Sequence, residues 1–304
     1  MSPSPTTRNA KGPELVVTAG PGEGVAGARP LPRAIRPRAW LPQLDLVALI
    51  VPALILGGWI AAYEARILSR ALLPGPLEVL SAVREWMFGA TTTLSFYSGT
   101  FWGDAGGSVF RVGVGFAVAA VAAIILGMLV GWFPFVERLV DPTVQVLRPI
   151  PRTAFLPFAV ILFGLGNLPA LFLVTYGTFL LVYVQVVIGV KLVPRDLKRA
   201  ARMLGATDRT VLFTVVLPAA LPSIFTGLRV AIAYSWMVLI LAEMLAVGNG
   251  LGYVLWHGYE YGRVDLVVAG MIMIGIFGFL SDRVILVIMK RKLDWATAIA
   301  ETEL

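Results

Sequence analysis

The sequence predicts an all-α polytopic membrane protein with six transmembrane helices. Three observations lead there. Of the 304 residues 58% are hydrophobic and 14% charged, with a mean hydropathy of +0.83, whereas soluble domains carry about a quarter charged residues. Uncharged runs of 18 residues and more recur along the chain, long enough as helices to cross a hydrocarbon core of about 30 Å. The 25 Lys and Arg gather in blocks between those runs. There is no cysteine and one histidine, His257, which excludes disulfide frameworks, thiol nucleophiles, Cys/His zinc sites and multi-histidine metal centres.

Residues 1–43 hold eight prolines, five glycines, six Lys/Arg and no apolar run able to build a core. They read as a disordered cytoplasmic tail. No A-x-A type cleavage site follows the next apolar stretch, so the tail is not a signal peptide. That stretch, Leu46 to Tyr63, is uncharged for 18 residues and is the first span. Glu64 to Asp104 reads as a loop on the far membrane surface, with Pro74-Gly75-Pro76 and a short helical pattern over Leu77 to Met87. Val112 to Trp132, uncharged for 21 residues, is the second span. Gly127-x-x-x-Gly131 inside it either admits a neighbouring helix closely or arises by chance.

Between Arg152 and Lys191 lie 38 uncharged residues, which as one helix would run about 57 Å. The run must fold back, and Gly164-Leu165-Gly166-Asn167-Leu168-Pro169 is the turn signal inside it. Gly164 follows Arg152 by twelve positions, too few to cross. The third span therefore recruits upstream sequence and carries Arg148 and Arg152 toward the membrane. Leu168 to Val190 is the fourth span, Pro222 to Ala246 the fifth and Leu266 to Met289 the sixth. The six-span domain thus covers 44–290, with a cytoplasmic basic loop at 191–217 and a cytoplasmic C-terminal tail at 291–304.

Charge sets the topology. Eighteen of the 25 cations fall in the tail, at Arg138, Arg148 and Arg152, at six positions from Lys191 to Arg209, and at Lys290-Arg291-Lys292. Cytoplasmic segments carry such an excess, so both termini are expected to face the cytoplasm. These cations need no partner beyond the lipid surface, which removes a nucleic-acid reading.

The basic loop from Pro194 to Arg209 opens with proline and contains Gly205. Leu197, Ala200, Ala201 and Leu204 share one helical face, while Arg195, Lys198, Arg199 and Arg202 take the rest. Such a helix either lies flat on anionic lipid or docks a cytoplasmic partner against its low-relief alanines. Arg199-Ala200-Ala201, three residues, Gly205, nine residues, then Val215-Val216-Leu217-Pro218 resembles the EAA loop of ABC importer permeases. Arg199 stands where that family has glutamate and Val215 where it has isoleucine. Leu73-Pro74-Gly75-Pro76, Ser108 with Arg111, Gly115-Phe116, Leu147-Arg148-Pro149-Ile150-Pro151, Phe163-Gly164-Leu165-Gly166, Thr226-Gly227-Leu228-Arg229 and Ala242-Glu243-Met244 are similar to the branch carrying nitrate, taurine and aliphatic sulfonates.

The resemblance implies a type I (MetI-like) permease: a homodimer paired with two ATP-binding subunits and fed by an extracytoplasmic substrate-binding protein. Arg199, Ala200, Ala201, Leu204, Gly205, Leu217 and Pro218 would couple it to the ATPase. No lysine follows a glycine, so the chain has no G-x-x-x-x-G-K-[ST] loop. It binds no cofactor of its own, and ATP and magnesium belong to the partner. No catalytic constellation is present, so the chain is not an enzyme. Two rivals remain: a permease for a vitamin precursor, and a self-sufficient secondary transporter.

Candidates for the translocation path are Arg148, Arg152, Tyr176, Gln185, Trp236 and Glu243, since polar groups in spans face cavities or helix partners. Arg148 and Arg152 either attract an oxyanion or reach phospholipid headgroups. Tyr176 and Gln185 bond substrate or neighbouring helices. Trp236 and Met237 gate the pore or pack helices. Arg229 and Glu243, about 21 Å apart along one helix, cannot pair. Glu243 is expected to meet another span or the binding protein, Asp282 and Arg283 to offset one another or reach polar neighbours, and His257 to lie in an outer loop.

Overall fold

In the computed structural model, residues 46–67, 69, 72–89 and 96–300 are described. The expected tail over 1–43 lies outside them. In chain order they form α1 (Leu46–Glu64), α2 (Pro76–Phe88), α3 (Phe101–Trp132), α4 (Pro134–Leu147), a 3-10 turn (Arg152–Ala154), α5 (Phe155–Phe163) and α6 (Asn167–Leu192). Then come α7 (Arg195–Met203), α8 (Asp208–Thr210), a π-helical turn (Val211–Val216), α9 (Leu217–Ala246), α10 (Leu251–Glu260) and α11 (Val264–Ala300). All regular structure among the described residues is helical. The chain divides into residues 1–55 and 56–304. In the first unit the described residues form the opening turns of α1, with exposed apolar side chains such as Val51 and Leu54.

Within residues 56–304, four stretches are long and apolar enough to cross a membrane: Phe101–Trp132, Asn167–Leu192, Asp208–Ala246 and Val264–Arg291. The expected third crossing is a bent pair, Pro134–Leu147 and Arg152–Phe163, meeting at 80°. Pro149 and Pro151 lack N–H donors and disfavour helical backbone before them, so no straight helix can run through. α1 (Leu46–Glu64) contains the whole uncharged run Leu46 to Tyr63 expected as the first span. The reversal between α5 and α6 falls where the glycines placed it, with φ of +75° at Gly164 and +129° at Gly166, backbone that L side chains rarely adopt.

The expected loop ending at Asp104 is corrected at its end: α3 begins at Phe101, eleven residues before the uncharged run. Asp104, Ser108 and Arg111 continue the helix because all three are buried and partnered. Residues 76–88 do form a helix, α2, as expected. The Glu78 carboxylate at its start accepts from Gly75 N–H at 2.8 Å and Tyr63 Oη at 3.0 Å.

α6 packs between α3 and α9. A Cβ on Gly127 would stand 2.8 Å from Val186 Cβ, and one on Gly131 2.7 Å from Val190 Cβ. The Gly-x-x-x-Gly pair is therefore a packing seam, and hydrogen at those positions is what lets the backbones approach. On the other side Ser223 Oγ donates to Gln185 O at 3.0 Å, and Thr178 and Ser235 share a buried hydrogen bond of 2.6 Å. α11 lies against α9, where Trp236 Nε1 donates to Ser281 Oγ at 3.1 Å. Arg229 forks onto Asp282 at 2.9 and 3.2 Å. Asp282 thus reaches α9 rather than its neighbour Arg283, whose guanidinium lies over Phe279, because residues adjacent in a helix point in different directions.

Candidate functional site

Three places in the bundle carry chemistry: the α7 end, a cation at mid-depth, and the α10 end. α7 is a nine-residue helix whose Pro194 and Asp196 suit a helix start. Lys198 and Arg202 lie over the Trp132 ring at 5.8 and 5.9 Å, and Lys198 Nζ reaches Val190 O at 3.4 Å. Partial burial lowers the Lys198 pKa, and Arg195 and Arg202 add repulsion. Arg202 also forks onto Asp208 at 3.1 and 2.9 Å. These contacts tie one face of α7 to the ends of α3 and α6.

The opposite face is open. Met203 and Leu204 are 87% and 89% exposed, and Ala200 is exposed beside them. Ala201, expected on the same low-relief face, turns inward and packs against the core, since 100° per residue separates it from Ala200. Arg199 bends to Asp196 at 3.7 Å, both highly exposed. Gly205 closes the helix at φ +83°. Leu217 and Pro218 lie half-buried at the start of α9. Pro218 has no N–H to donate, and the π turn just before it absorbs that break in the ladder.

At mid-depth Arg152 lies with its guanidinium 4.9 Å from the centre of the Tyr234 ring, and its Nε is buried without a hydrogen-bond partner. Tyr176 stacks on Phe172 and reaches Leu147 O at 3.4 Å. Arg148 is exposed nearer the α7 end, lining a cavity of about 180 Å³ with Asp141, Tyr183 and Lys191. The Gln185 side chain packs against Gly227 of α9, Trp236 is engaged with Ser281 of α11, and Met237 is 69% exposed.

At the α10 end, Glu243 is fully buried in an ion pair of 2.7 Å with Arg111 on α3. Ser108 Oγ lies 2.7 and 2.9 Å from its two oxygens. Arg111 donates further to Asn167 Oδ1 at 2.7 Å, Asn249 O at 3.2 Å and Asn249 Oδ1. The first N–H groups of a helix have no intrahelical acceptor, and here Gly250 N–H donates to Asp104, Leu251 N–H to Ser108 and Gly252 N–H to Glu243 at 3.0, 3.0 and 2.9 Å. Side chains of α3 and α9 thus cap α10, and carboxylates suit that positive helix end. Gly250 must be glycine: its φ is +126° and a Cβ would meet Glu243 Cδ at 2.5 Å. His257, expected in a loop, lies within α10 and pairs with Glu260 at 2.8 Å. The network welds α3, α6, α9 and α10 together at one end.

Residues 119–293 match the family described as binding-protein-dependent transport system inner membrane component. The chain belongs to that family. This ABC permease is 44% identical over 177 residues to a putative ABC transporter permease protein of Methanocaldococcus jannaschii, covering 58% of this chain and 66% of that one. It is 32% identical over 243 residues to the taurine transport system permease protein TauC of Escherichia coli, covering 80% and 87%. Permeases for nitrate, aliphatic sulfonates and bicarbonate also match. A solved chain of the inward-facing MetNI methionine ABC transporter superposes with a TM-score of 0.55 at 20% identity, covering 66% of this chain and 99% of that one, and shows a shared fold.

Reading the permease by uncharged runs missed Asp104, Asn167, Asn249 and Tyr234. A signal for part of the set exists in the sequence. Asp104, Ser108, Arg111 and Gly115 stand at i, i+4, i+7 and i+11, one helical face carrying three polar groups.

Proposed function

We propose that this permease forms the translocation path of an ATP-driven importer for a small oxyanion such as a sulfonate, nitrate or bicarbonate. Two copies pair with two ATP-binding subunits, which hold ATP and magnesium, and an extracytoplasmic binding protein delivers the solute. The substrate class rests on the relatives named for taurine, aliphatic sulfonates, nitrate and bicarbonate. Both termini face the cytoplasm, supported by the cations gathered around α7 and at Lys290, Arg291 and Lys292.

The observation that carries the coupling is the free face of α7. Ala200, Met203 and Leu204 are exposed on a short helix whose other face is held to Trp132 and Val190. From Asp208 to Ala246 the chain runs on as one long helical stretch. A displacement of α7 by nucleotide-driven closure of a docked ATPase is thus passed to α3, α6 and α9, and the bundle rocks between outward and inward openings.

The test is reconstitution of the permease with its ATP-binding subunit and binding protein in vesicles. Uptake of taurine, nitrate or bicarbonate that requires internal ATP supports the proposal. Uptake by the permease alone, driven by an ion gradient, contradicts it.

A further inference from the structure

The arginines within the bundle are not alike. Arg111 has Glu243 and Arg229 has Asp282, whereas no carboxylate among the described residues lies within ion-pair distance of Arg152. Its guanidinium rests on the Tyr234 ring and its stem on Gly177, where a Cβ would come 3.5 Å from Arg152 Cδ and 3.2 Å from Tyr234 Cε1. Nε is sealed from solvent without a partner. The two terminal nitrogens and the Tyr234 hydroxyl also lack hydrogen-bond partners among the described residues, and none of them is sealed.

Depth argues against the headgroup reading. Gly177 lies ten residues from Asn167 and fifteen from Leu192 on α6, so Arg152 sits about 15 Å from one end of that span and about 22 Å from the other. Neither end of α6 is within reach of its side chain. A cation held at mid-membrane without a counter-ion is unfavourable, and such groups face a cavity and mark a substrate path.

We propose that Arg152 is the recognition group for a small oxyanion in the translocation path, which rests on the importer reading above. Its planar terminal nitrogens donate side by side to two oxygens of a sulfonate, nitrate or bicarbonate, a geometry that lysine cannot reproduce. The Tyr234 hydroxyl supplies a further donor. The Tyr234 ring and the bare Gly177 hold the arginine in place, and the bend after α4 brings it there.

ATP-driven uptake of taurine and of nitrate by the full complex, with binding protein, tests this for the wild type, Arg152→Gln and Arg152→Lys. Losing a charge-assisted contact lowers Arg152→Gln uptake by about tenfold or more, and Arg152→Lys falls between. The thermal midpoint of Arg152→Gln stays at or above the wild-type value, because a charge without a counter-ion has been removed. The loss is the same in vesicles of zwitterionic lipid alone and in vesicles with anionic lipid. Arg152→Gln uptake within twofold of wild type overturns the proposal. So does a lowered midpoint, which makes the residue structural, and so does a loss confined to anionic vesicles, which makes lipid phosphate the ligand. A wild-type complex that moves neither anion with ATP overturns the importer reading of an anion substrate itself.

Discussion

Replacing Glu243 by alanine takes the acceptor from three donors at once, Ser108, Arg111 and Gly252. Arg111 is left 3% exposed in its side chain with no counter-charge. Breaking a buried pair by removing one partner costs about 3–5 kcal/mol, and about 1 kcal/mol moves the midpoint of a domain this size by roughly 2–4 °C. The purified Glu243→Ala permease is therefore expected to melt about 6–20 °C below wild type. Arg111→Met combined with Glu243→Met removes both charges and recovers most of the loss. It leaves Gly252 N–H without its acceptor, for which about 1–3 kcal/mol remains. Thermal unfolding followed by tryptophan fluorescence in detergent measures all three proteins. A Glu243→Ala midpoint within about 2 °C of wild type, well under the smallest expected shift of about 6 °C, or a double variant less stable than the single one, refutes the buried-network reasoning.

Gly131→Leu, which forces bulk into the Val190 contact, is expected to lower stability by about 1–3 kcal/mol, read as a lower midpoint and poorer folded yield. Asp282→Asn, in a pair whose partners are 41% and 28% exposed, is expected to cost under about 1 kcal/mol, so its midpoint barely moves. Gly205→Trp fills the open space beside the α7 terminus and imposes a side chain at positive φ. Its expected signature is uptake reduced about tenfold while ATP hydrolysis by the complex continues.

Spans were legible where composition alone decides. α6, α9 and α11 contain the runs Leu168 to Val190, Pro222 to Ala246 and Leu266 to Met289, because lipid tolerates few charges and the glycines at 164 and 166 mark the reversal. Charge misled at α3, where Asp104 and Arg111 looked like the edge of a loop. Asp104 has nearby donors in Thr100 and Trp86, but the contacts that tie Asp104 and Arg111 to the far end of the chain, at Gly250 and Glu243, span more than 130 residues, and no local pattern carries that information. The span arithmetic brought Arg152 into the membrane, yet only the fold brings Tyr234 and Gly177 beside it. Helical spacing identified α7 as amphipathic. It did not reveal that Ala201 turns inward, since that depends on where Trp132 ends α3.

The coupling face of α7 is tested most directly by a photo-crosslinking residue placed at Ala200 in the assembled complex in native membranes. The account predicts an adduct with the ATP-binding subunit whose yield changes when nucleotide is added. Adducts with lipid alone, or labelling of Ala200 by a reagent confined to the outside of the cell, would contradict it.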